Sequence, residues 1–442
     1  MAEPGRKNGE APGPEAKNGE AATQEILEQV ESGPRSPDLP VARIAILLLC
    51  IAWSGYQLYI AYQPVNATIA RAWHLAFAIL LVYLAYPAYN EARPPFWVKL
   101  TRRIIPRAHP RRSLRRRIPP LDLALGAIAA ATVLYIWWDY EGIIMRQGLP
   151  STADVWVGVV MIVLLLEAAR RALGLALPIL GMIFLAYSFL GPYMPEFLRH
   201  RGIPLDYVIA DQYLSTTGIF GVPLGVSTDF VFLFVLFGAL LDRAGAGKYF
   251  IDVAFAGLGW MRGGPAKAAV VASGLTGMVS GSSIANTVTT GTFTIPLMKK
   301  VGLPAYKAAA VEVAASTNGQ LMPPIMGAAA FIMAEIIGIP YLDVVRAALI
   351  PALVSYIALF YVVHLEARKL DIKPIPRSEL PRLLKTFLGG LHYLLPIIVL
   401  VVYLVVLRRS AITSALFAIE ALAVIIVVQR PIIVWLAWWR AG

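Results

Sequence analysis

Cysteine, histidine and charged residues are all scarce in this sequence. The 442 residues include one cysteine, Cys50, and five histidines, and only 15% of the residues are charged. A lone cysteine can form neither an intramolecular disulfide nor a cysteine-rich metal site. Ser–His–Asp, HExxH and GxxxxGK groupings are also missing. Their absence argues against an intramembrane hydrolase and an ATP-driven pump, so we expect a protein that is not an enzyme.

Apolar residues, by contrast, are in excess: 58% of the chain is hydrophobic, and the mean hydropathy is +0.66. A soluble domain is nearer half apolar and a quarter charged. Runs long enough to cross about 30 Å of hydrocarbon, roughly 20 residues as helix, recur along the chain. The fold class predicted is therefore all-α integral membrane, a polytopic helical bundle, with no cleavable signal peptide. Predicted spans cover residues 41–62, 72–89, 121–138, 154–169, 173–190, 226–241, 387–407 and 411–429.

The positive charge is concentrated between spans. The net charge of +12 could indicate nucleic-acid binding, but the basic residues bunch in a few loops, above all Arg102–Arg117. Such bunching is typical of cytoplasmic loops in membrane proteins, although a site for anionic lipid headgroups is a second interpretation. We therefore expect no nucleic-acid partner, a cell inner membrane location and a cytoplasmic N-terminus. Residues 1–40, poor in apolar side chains, are predicted to be a disordered tail.

A re-entrant helical hairpin is predicted over residues 265–298. Both ends of this stretch are basic, with Arg262 and Lys267 at its beginning and Lys299 and Lys300 after its end. The stretch is too short for two crossings of about 20 residues each, and a single crossing would place later basic residues outside. The predicted apex, residues 280–287, reads SGSSIANT. Irregular backbone at membrane depth suits a cavity lining with free carbonyls, although small residues also serve as helix-packing faces.

A discontinuous helix is predicted over residues 304–338. Its two ends have helical sequences, whereas its centre, residues 316–324, reads STNGQLMPP. Two prolines and a glycine cannot all be accommodated in one continuous helix. Half-helix ends near the membrane midplane offer positive N-termini to anions and free carbonyls to cations, as in secondary transporters.

The stretch from about Asp229 to Arg382 resembles the large subunit of TRAP (tripartite ATP-independent periplasmic) transporters. The segment SGSSIANTVTTGTFTIPLMKKVGLPAYKAAAVEVAASTNGQLMPPIMGAAAFIMAEIIGIPYLDV carries the resemblance. It looks like the fused branch, in which a small four-helix subunit precedes the large one. The resemblance implies import of organic acids by a sodium gradient and an elevator-like movement. It also implies delivery of the carboxylate substrate by a periplasmic substrate-binding protein, commonly of the TAXI type.

The resemblance also implies site residues, residue by residue. Those expected to bind sodium are Ser280, Gly281, Ser282, Asn286, Ser316, Thr317 and Gly319. Those expected to face the substrate or shape the break are Ser283, Thr287, Asn318, Gln320, Pro323 and Pro324. Sodium is the only cofactor expected, as the coupling ion, and no organic cofactor or further metal is expected.

Five regions follow from this interpretation. They are a disordered tail (1–40), a small-subunit-like helical domain (41–190), a periplasmic connection (191–225), the first repeat of the large permease subunit (226–386), and linking spans with a truncated C-terminus (387–442). Sodium-coupled permeases of this design use two inverted repeats, and only one is visible here. We therefore expect that the chain alone does not transport. Either the gene is split or shortened, in which case a second membrane chain could supply the missing repeat, or the chain is part of a longer product. The alternative is a non-transporting half-permease or scaffold subunit.

Several other polar residues lie within or near the spans. Glu312, in the first half of the discontinuous helix, could pair or relay, while Glu335 lies near its outer end. Glu420 lies in the middle of a span, and intramembrane carboxylates are functional by default unless they are neutral in a helix interface. His364 and His392 are expected near the membrane edges, in contact with lipid headgroups or water.

Overall fold

All of the regular secondary structure is helical in the part of the chain that the computed structural model describes. That part comprises residue 35 and residues 37–89, 117–146 and 148–440. Most of the predicted disordered tail and of the basic loop at 102–117 lies outside the described residues.

The α-helices are numbered in chain order. They are α1 (Pro40–Tyr62), α2 (Ala67–Ala85), α3 (Pro120–Trp138), α4 (Tyr140–Met145), α5 (Thr152–Leu173), α6 (Ala176–Leu190), α7 (Leu205–Gln212), α8 (Val222–Val226), α9 (Phe232–Ala244), α10 (Ala246–Leu258), α11 (Gly264–Ser280), α12 (Ser283–Lys300), α13 (Ala305–Gly319), α14 (Ala328–Ile337), α15 (Tyr341–Lys369), α16 (Leu383–Gly389), α17 (Leu394–Val401) and α18 (Ala411–Arg440). A π-helical turn, Ser227–Val231, joins α8 to α9, and another, Val402–Val406, follows α17.

Eight helical segments among the described residues are long and apolar enough to cross a membrane, and α8 and α9 count as one of them. A ninth crossing is formed if the segments Arg377–Gly389 and Leu391–Val406, bent by 53°, act as one span. This count confirms the predicted class, a polytopic helical membrane protein. Helix α15, with 29 residues, is one of the eight but is not among the spans predicted from the sequence.

The first bundle packs α2, α3, α5 and α7 around a shared apolar core that includes Tyr83, Met161 and Ile209. Helix α5 begins at a capping box, in which the Ser151 hydroxyl accepts from the Asp154 amide and the Asp154 carboxylate accepts from the Ser151 amide. This exchange satisfies two backbone donors that a helix start otherwise leaves open. The predicted domain 41–190 thus contains packed helices. Helix α7 joins the same core, although it lies in the stretch 191–225 that is predicted to be a periplasmic connection.

A buried carboxylate fixes one end of this bundle. Asp122, in α3, pairs with Arg35 (Nη2–Oδ2 2.7 Å) and with Arg171 of α5 (Nη1–Oδ1 2.8 Å). All three side chains are almost fully buried. Arg35 also donates to the carbonyl oxygen of Tyr83. Arg35 is therefore held by this carboxylate, because a buried carboxylate requires cationic partners.

The second bundle contains α9, α10, α11, α14, α15, α17 and α18. An aromatic cluster positions α14 within it: the ring of Phe331 stacks on those of Phe230, Phe234 and Tyr341, with centroids 5.3, 5.0 and 4.2 Å away. These rings join three neighbouring elements, and their apolar neighbours form one continuous core. The second half of the interrupted helix is thereby fixed against the span that precedes the hairpin and the span that follows it.

Candidate cation and substrate site

Helices α11 and α12 form a hairpin that turns at Gly281 and Ser282. Gly281 has φ +63°, a left-handed conformation that glycine adopts without steric cost, and it ends α11. The Ser282 hydroxyl accepts from the Ala285 amide at 3.3 Å, which caps the N-terminus of α12. At the other end of the hairpin, Arg262 precedes α11 and Lys300 ends α12, and neither side chain is buried.

The helix that follows is interrupted between α13 and α14, at residues 320–327. The backbone within the interruption finds specific partners: the Gly327 amide donates to the Gln320 carbonyl at 2.8 Å. The Tyr341 hydroxyl donates to the carbonyl oxygens of Pro324, at 3.0 Å, and Ile325. These contacts replace part of the helical hydrogen bonding that the two prolines prevent.

The hairpin and the interruption pack against each other through two glycines. A Cβ atom on Gly277 would lie 2.8 Å from the Cα of Gly319, and a Cβ on Gly319 would lie 2.8 Å from the Cα of Gly277. The Gln320 amide nitrogen donates to the carbonyl of Gly281 at 3.3 Å. The turn of the hairpin therefore lies directly against the end of α13, and only glycine allows so close an approach.

Beneath this contact lies a buried polar cluster that joins α11, α12 and α13. The Asn286 amide nitrogen donates to the carbonyl and the hydroxyl of Ser273, both at 2.9 Å, and to the Ser316 hydroxyl at 3.1 Å. The Thr276 hydroxyl donates to the Asn286 side-chain oxygen at 2.7 Å. Ser273, Asn286 and Ser316 are 0–2% exposed. Asn286 thus connects the two arms of the hairpin to the first half of the interrupted helix.

Glu312 completes the cluster and is fully buried. Its carboxylate accepts from the hydroxyls of Ser273 at 3.1 Å, Ser316 at 3.2 Å, Thr294 at 2.5 Å and Thr290. Every hydrogen-bond partner of this carboxylate among the described residues is a neutral hydroxyl.

The residues expected to bind sodium lie in two groups. Ser280, Gly281 and Ser282 form the turn of the hairpin, and Asn286, Ser316 and Gly319 lie at or beside the glycine contact. Thr317 differs, because its side chain is exposed and its hydroxyl donates to the Val313 carbonyl of its own helix at 2.8 Å. The oxygen atoms near the glycine contact belong to hydroxyl, amide and carbonyl groups, which are the ligand types that hard cations take.

The residues expected to face the substrate are more dispersed. Ser283 and Thr287, four positions apart on α12, share one half-exposed helix face, and Asn318 is half-exposed on α13. Gln320 instead bridges the interruption to the hairpin turn. Pro323 and Pro324 lie within the interruption itself.

A cavity of about 550 Å³ opens beside the hairpin, between α12 and the helices α9 and α10. Its polar lining comes from the hairpin and from the end of α9, and comprises Thr276, Ser280, Ser282, Asn286, Thr289, Asp242 and Arg243. This volume falls within the range that small-molecule sites occupy. The cavity therefore adjoins three of the residues expected to bind sodium.

Sequence reasoning missed four contributors to the polar cluster: Ser273, Thr276, Thr290 and Thr294. The sequence carries a signal for Thr290 and Thr294. They follow Asn286 at intervals of four residues, so all three share one face of α12. Of the other polar residues singled out in the sequence, Glu312 belongs to the cluster, whereas the remaining four are separate from it. Glu335, Glu420 and His392 are exposed, and His364 contacts the Lys267 ammonium at 3.1 Å.

Comparison with known proteins adds a family assignment. The family described as "Tripartite ATP-independent periplasmic transporter, DctM component" matches residues 160–434, well over half of the chain. The match begins inside the interval 41–190 that the sequence analysis gives to a small-subunit-like domain.

Curated relatives carry related names. The chain is 33% identical over 147 residues to the C4-dicarboxylate TRAP transporter large permease protein DctM of Pseudomonas aeruginosa, which covers 33% of this chain and 34% of that protein. A protein of the same name from Vibrio cholerae is 32% identical over 145 residues, 33% of this chain and 31% of that protein. A putative TRAP transporter large permease protein of Haemophilus influenzae is 24% identical over 168 residues, 38% and 39% of the two chains.

The chain spans about a third of the length of the curated relatives it matches. The family match, in contrast, includes every element of the hairpin, the interruption and the buried cluster. Together with the helical membrane architecture, this match confirms the resemblance to TRAP transporters. The chain belongs to the DctM component family of tripartite ATP-independent periplasmic transporters, and it is a multi-pass inner-membrane protein.

Proposed function

We propose that this chain is the permease component of a sodium-coupled secondary transporter that imports organic acids across the inner membrane. The contact between the hairpin and the interrupted helix, formed at Gly277 and Gly319, is the observation that carries this proposal. Interrupted helices that meet in this way bind ions and substrates in secondary transporters. The buried oxygens beside the contact suit a hard cation such as sodium.

The substrate class follows from the relatives and from the cavity. Two of the relatives are named for C4-dicarboxylates, and we propose a small carboxylate for this chain as well. The 550 Å³ cavity beside the hairpin has room for such a molecule. Its lining includes Arg243, a residue type whose planar guanidinium suits a carboxylate, next to Asp242.

The partners belong to the same proposal. A periplasmic substrate-binding protein, of the TAXI type, delivers the carboxylate, and the helical domain over residues 41–190 serves as the small subunit of a fused permease. The N-terminus is cytoplasmic, which places Arg262 and Lys300 on the cytoplasmic side. The described residues contain one hairpin-and-interruption pair. A second pair is supplied by other residues, by a second membrane chain or by a second copy.

Uptake experiments test the proposal. Proteoliposomes that contain the permease complex and its binding protein are expected to accumulate a radiolabelled dicarboxylate only when a sodium gradient is imposed. Replacing Ser282 with leucine is expected to abolish this uptake. Because Ser282 also caps α12, Ser282→Thr is the matched control, since threonine keeps a capping hydroxyl. Sodium-independent uptake would contradict the coupling.

A scaffold role makes a different prediction. If this chain only supports another permease, sodium-dependent uptake by the complex survives Ser282→Leu in this chain.

A further inference from the structure

Glu312 presents an unusual electrostatic problem. Its carboxylate is fully buried, and its hydrogen-bond partners among the described residues are four neutral hydroxyls. The nearest lysine in sequence, Lys307, is paired with Glu366. A buried carboxylate without a compensating charge is costly, so the cluster favours the arrival of a cation.

Three oxygens of the cluster form an almost equilateral triangle. The Glu312 Oε1 atom lies 3.1 Å from Ser273 Oγ and 3.2 Å from Ser316 Oγ, and the two hydroxyl oxygens are 2.9 Å apart. Oxygens that bind one face of a hard cation at 2.3–2.6 Å have comparable spacings, with Ca²⁺, which is close in size to Na⁺, as the example. The three oxygens come from two helices, α11 and α13, so their spacing depends on how the hairpin and the interrupted helix pack.

A positively polarised group already contacts this triangle. The Asn286 amide nitrogen donates to both hydroxyls, Ser273 and Ser316. The same nitrogen donates to the Ser273 carbonyl, and the Asn286 side-chain oxygen accepts from the Thr276 hydroxyl, which together fix this orientation of the amide. The two hydroxyl oxygens of the triangle therefore already face a positively polarised N–H group, as they would face a cation.

We propose that Glu312 supplies the fixed negative charge of the sodium site and binds the ion together with Ser273 and Ser316. This inference rests on the proposed function and extends it. Backbone carbonyls provide partial charges only, whereas a carboxylate adds a full charge in a buried position, where it attracts a cation strongly. Neither Glu312 nor Ser273 belongs to the sodium-binding set expected from the sequence.

Sodium titration of thermal stability tests the inference on the purified chain. Sodium chloride replaces choline chloride at constant ionic strength, and the sodium concentration that gives half of the stabilisation is measured. Glu312→Gln keeps the size of the side chain and removes the charge, and we expect it to raise this concentration at least about tenfold. Ser273→Ala removes one oxygen of the triangle and is expected to raise it several-fold.

Two further variants serve as controls. Glu379→Gln removes an exposed carboxylate outside the cluster and is expected to leave the sodium response unchanged. Thr294→Val removes a hydroxyl that contacts the other carboxylate oxygen, Oε2, and we expect a smaller effect than with Ser273→Ala.

The outcomes separate this inference from the proposed function. If the unmodified chain shows no sodium-specific stabilisation, the proposed function itself fails. In a second outcome, sodium stabilises the unmodified chain and Ser282→Leu removes this response, but Glu312→Gln and Ser273→Ala leave the half-stabilising sodium concentration unchanged. That outcome overturns only the role of Glu312. If the Glu312 carboxylate had a purely structural role, Glu312→Gln would lower the thermal stability by the same amount with and without sodium.

Discussion

Replacing Gly277 with alanine should separate the hairpin from the interrupted helix. The added Cβ would lie 2.8 Å from the Cα of Gly319 and 3.1 Å from the Asn286 amide nitrogen. Carbon atoms pack best at about 3.5–4.0 Å, so the methyl group overlaps the opposing backbone by roughly 1 Å. Backbone on both sides cannot move away as a side-chain tip can. We expect a loss of about 1–3 kcal/mol in the free energy of unfolding.

The measurement is thermal unfolding of the purified variants in detergent, with Gly55→Ala as the matched control. Gly55 lies in α1, and a Cβ added there would have no atom within 4 Å, so alanine at this position reports helix propensity alone, a gain of up to about 1 kcal/mol. Gly319→Ala should behave like Gly277→Ala, because each methyl group enters the same contact. The double variant should depart from additivity, since the two methyl groups compete for one space. If Gly277→Ala is as stable as Gly55→Ala, the close contact between the two glycines is wrong.

Two other predictions concern topology and electrostatics. Single cysteines at Arg262 and Lys300, in a chain with Cys50 replaced by serine, should both react with an impermeant thiol reagent from the cytoplasmic side only; periplasmic labelling of either would exclude a re-entrant hairpin. Asp122→Asn should lower the free energy of unfolding by about 3–5 kcal/mol, because it removes the buried negative charge that the guanidinium groups of Arg35 and Arg171 share, whereas Asp371→Asn, at an exposed ion pair, should cost at most about 1 kcal/mol. Equal losses of unfolding free energy for the two variants, measured by chemical denaturation, would contradict this prediction.

The positions of the long helices can be predicted from the sequence because span length, charge and proline are local signals. Apolar runs of about 20 residues indicate most of the spans. Basic residues at both ends of a stretch too short for two crossings indicate the hairpin, and the Pro323–Pro324 pair indicates the interruption. Local signals are weaker where a helix carries charges near its ends and a proline inside, as α15 does with Pro351.

The partners of individual side chains cannot be predicted in the same way. The charge pattern assigns Lys267 to the basic cytoplasmic flank of the hairpin, yet this residue is 1% exposed and lies beside His364 and over the ring of Phe360. Its burial depends on α15, which is about a hundred residues away in the chain. The same holds for Glu312, because its hydroxyl partners come from three helices whose packing no local pattern reveals.

Binding of radioactive sodium to the purified chain would show whether a sodium site exists where the hairpin meets the interrupted helix. We expect saturable binding that is displaced by unlabelled sodium but not by potassium. We expect Ser282→Leu to abolish this binding and Ser282→Thr to preserve it. Absence of saturable binding by a folded chain, or full binding by a folded Ser282→Leu variant, would contradict a sodium site at the contact between the hairpin and the interrupted helix.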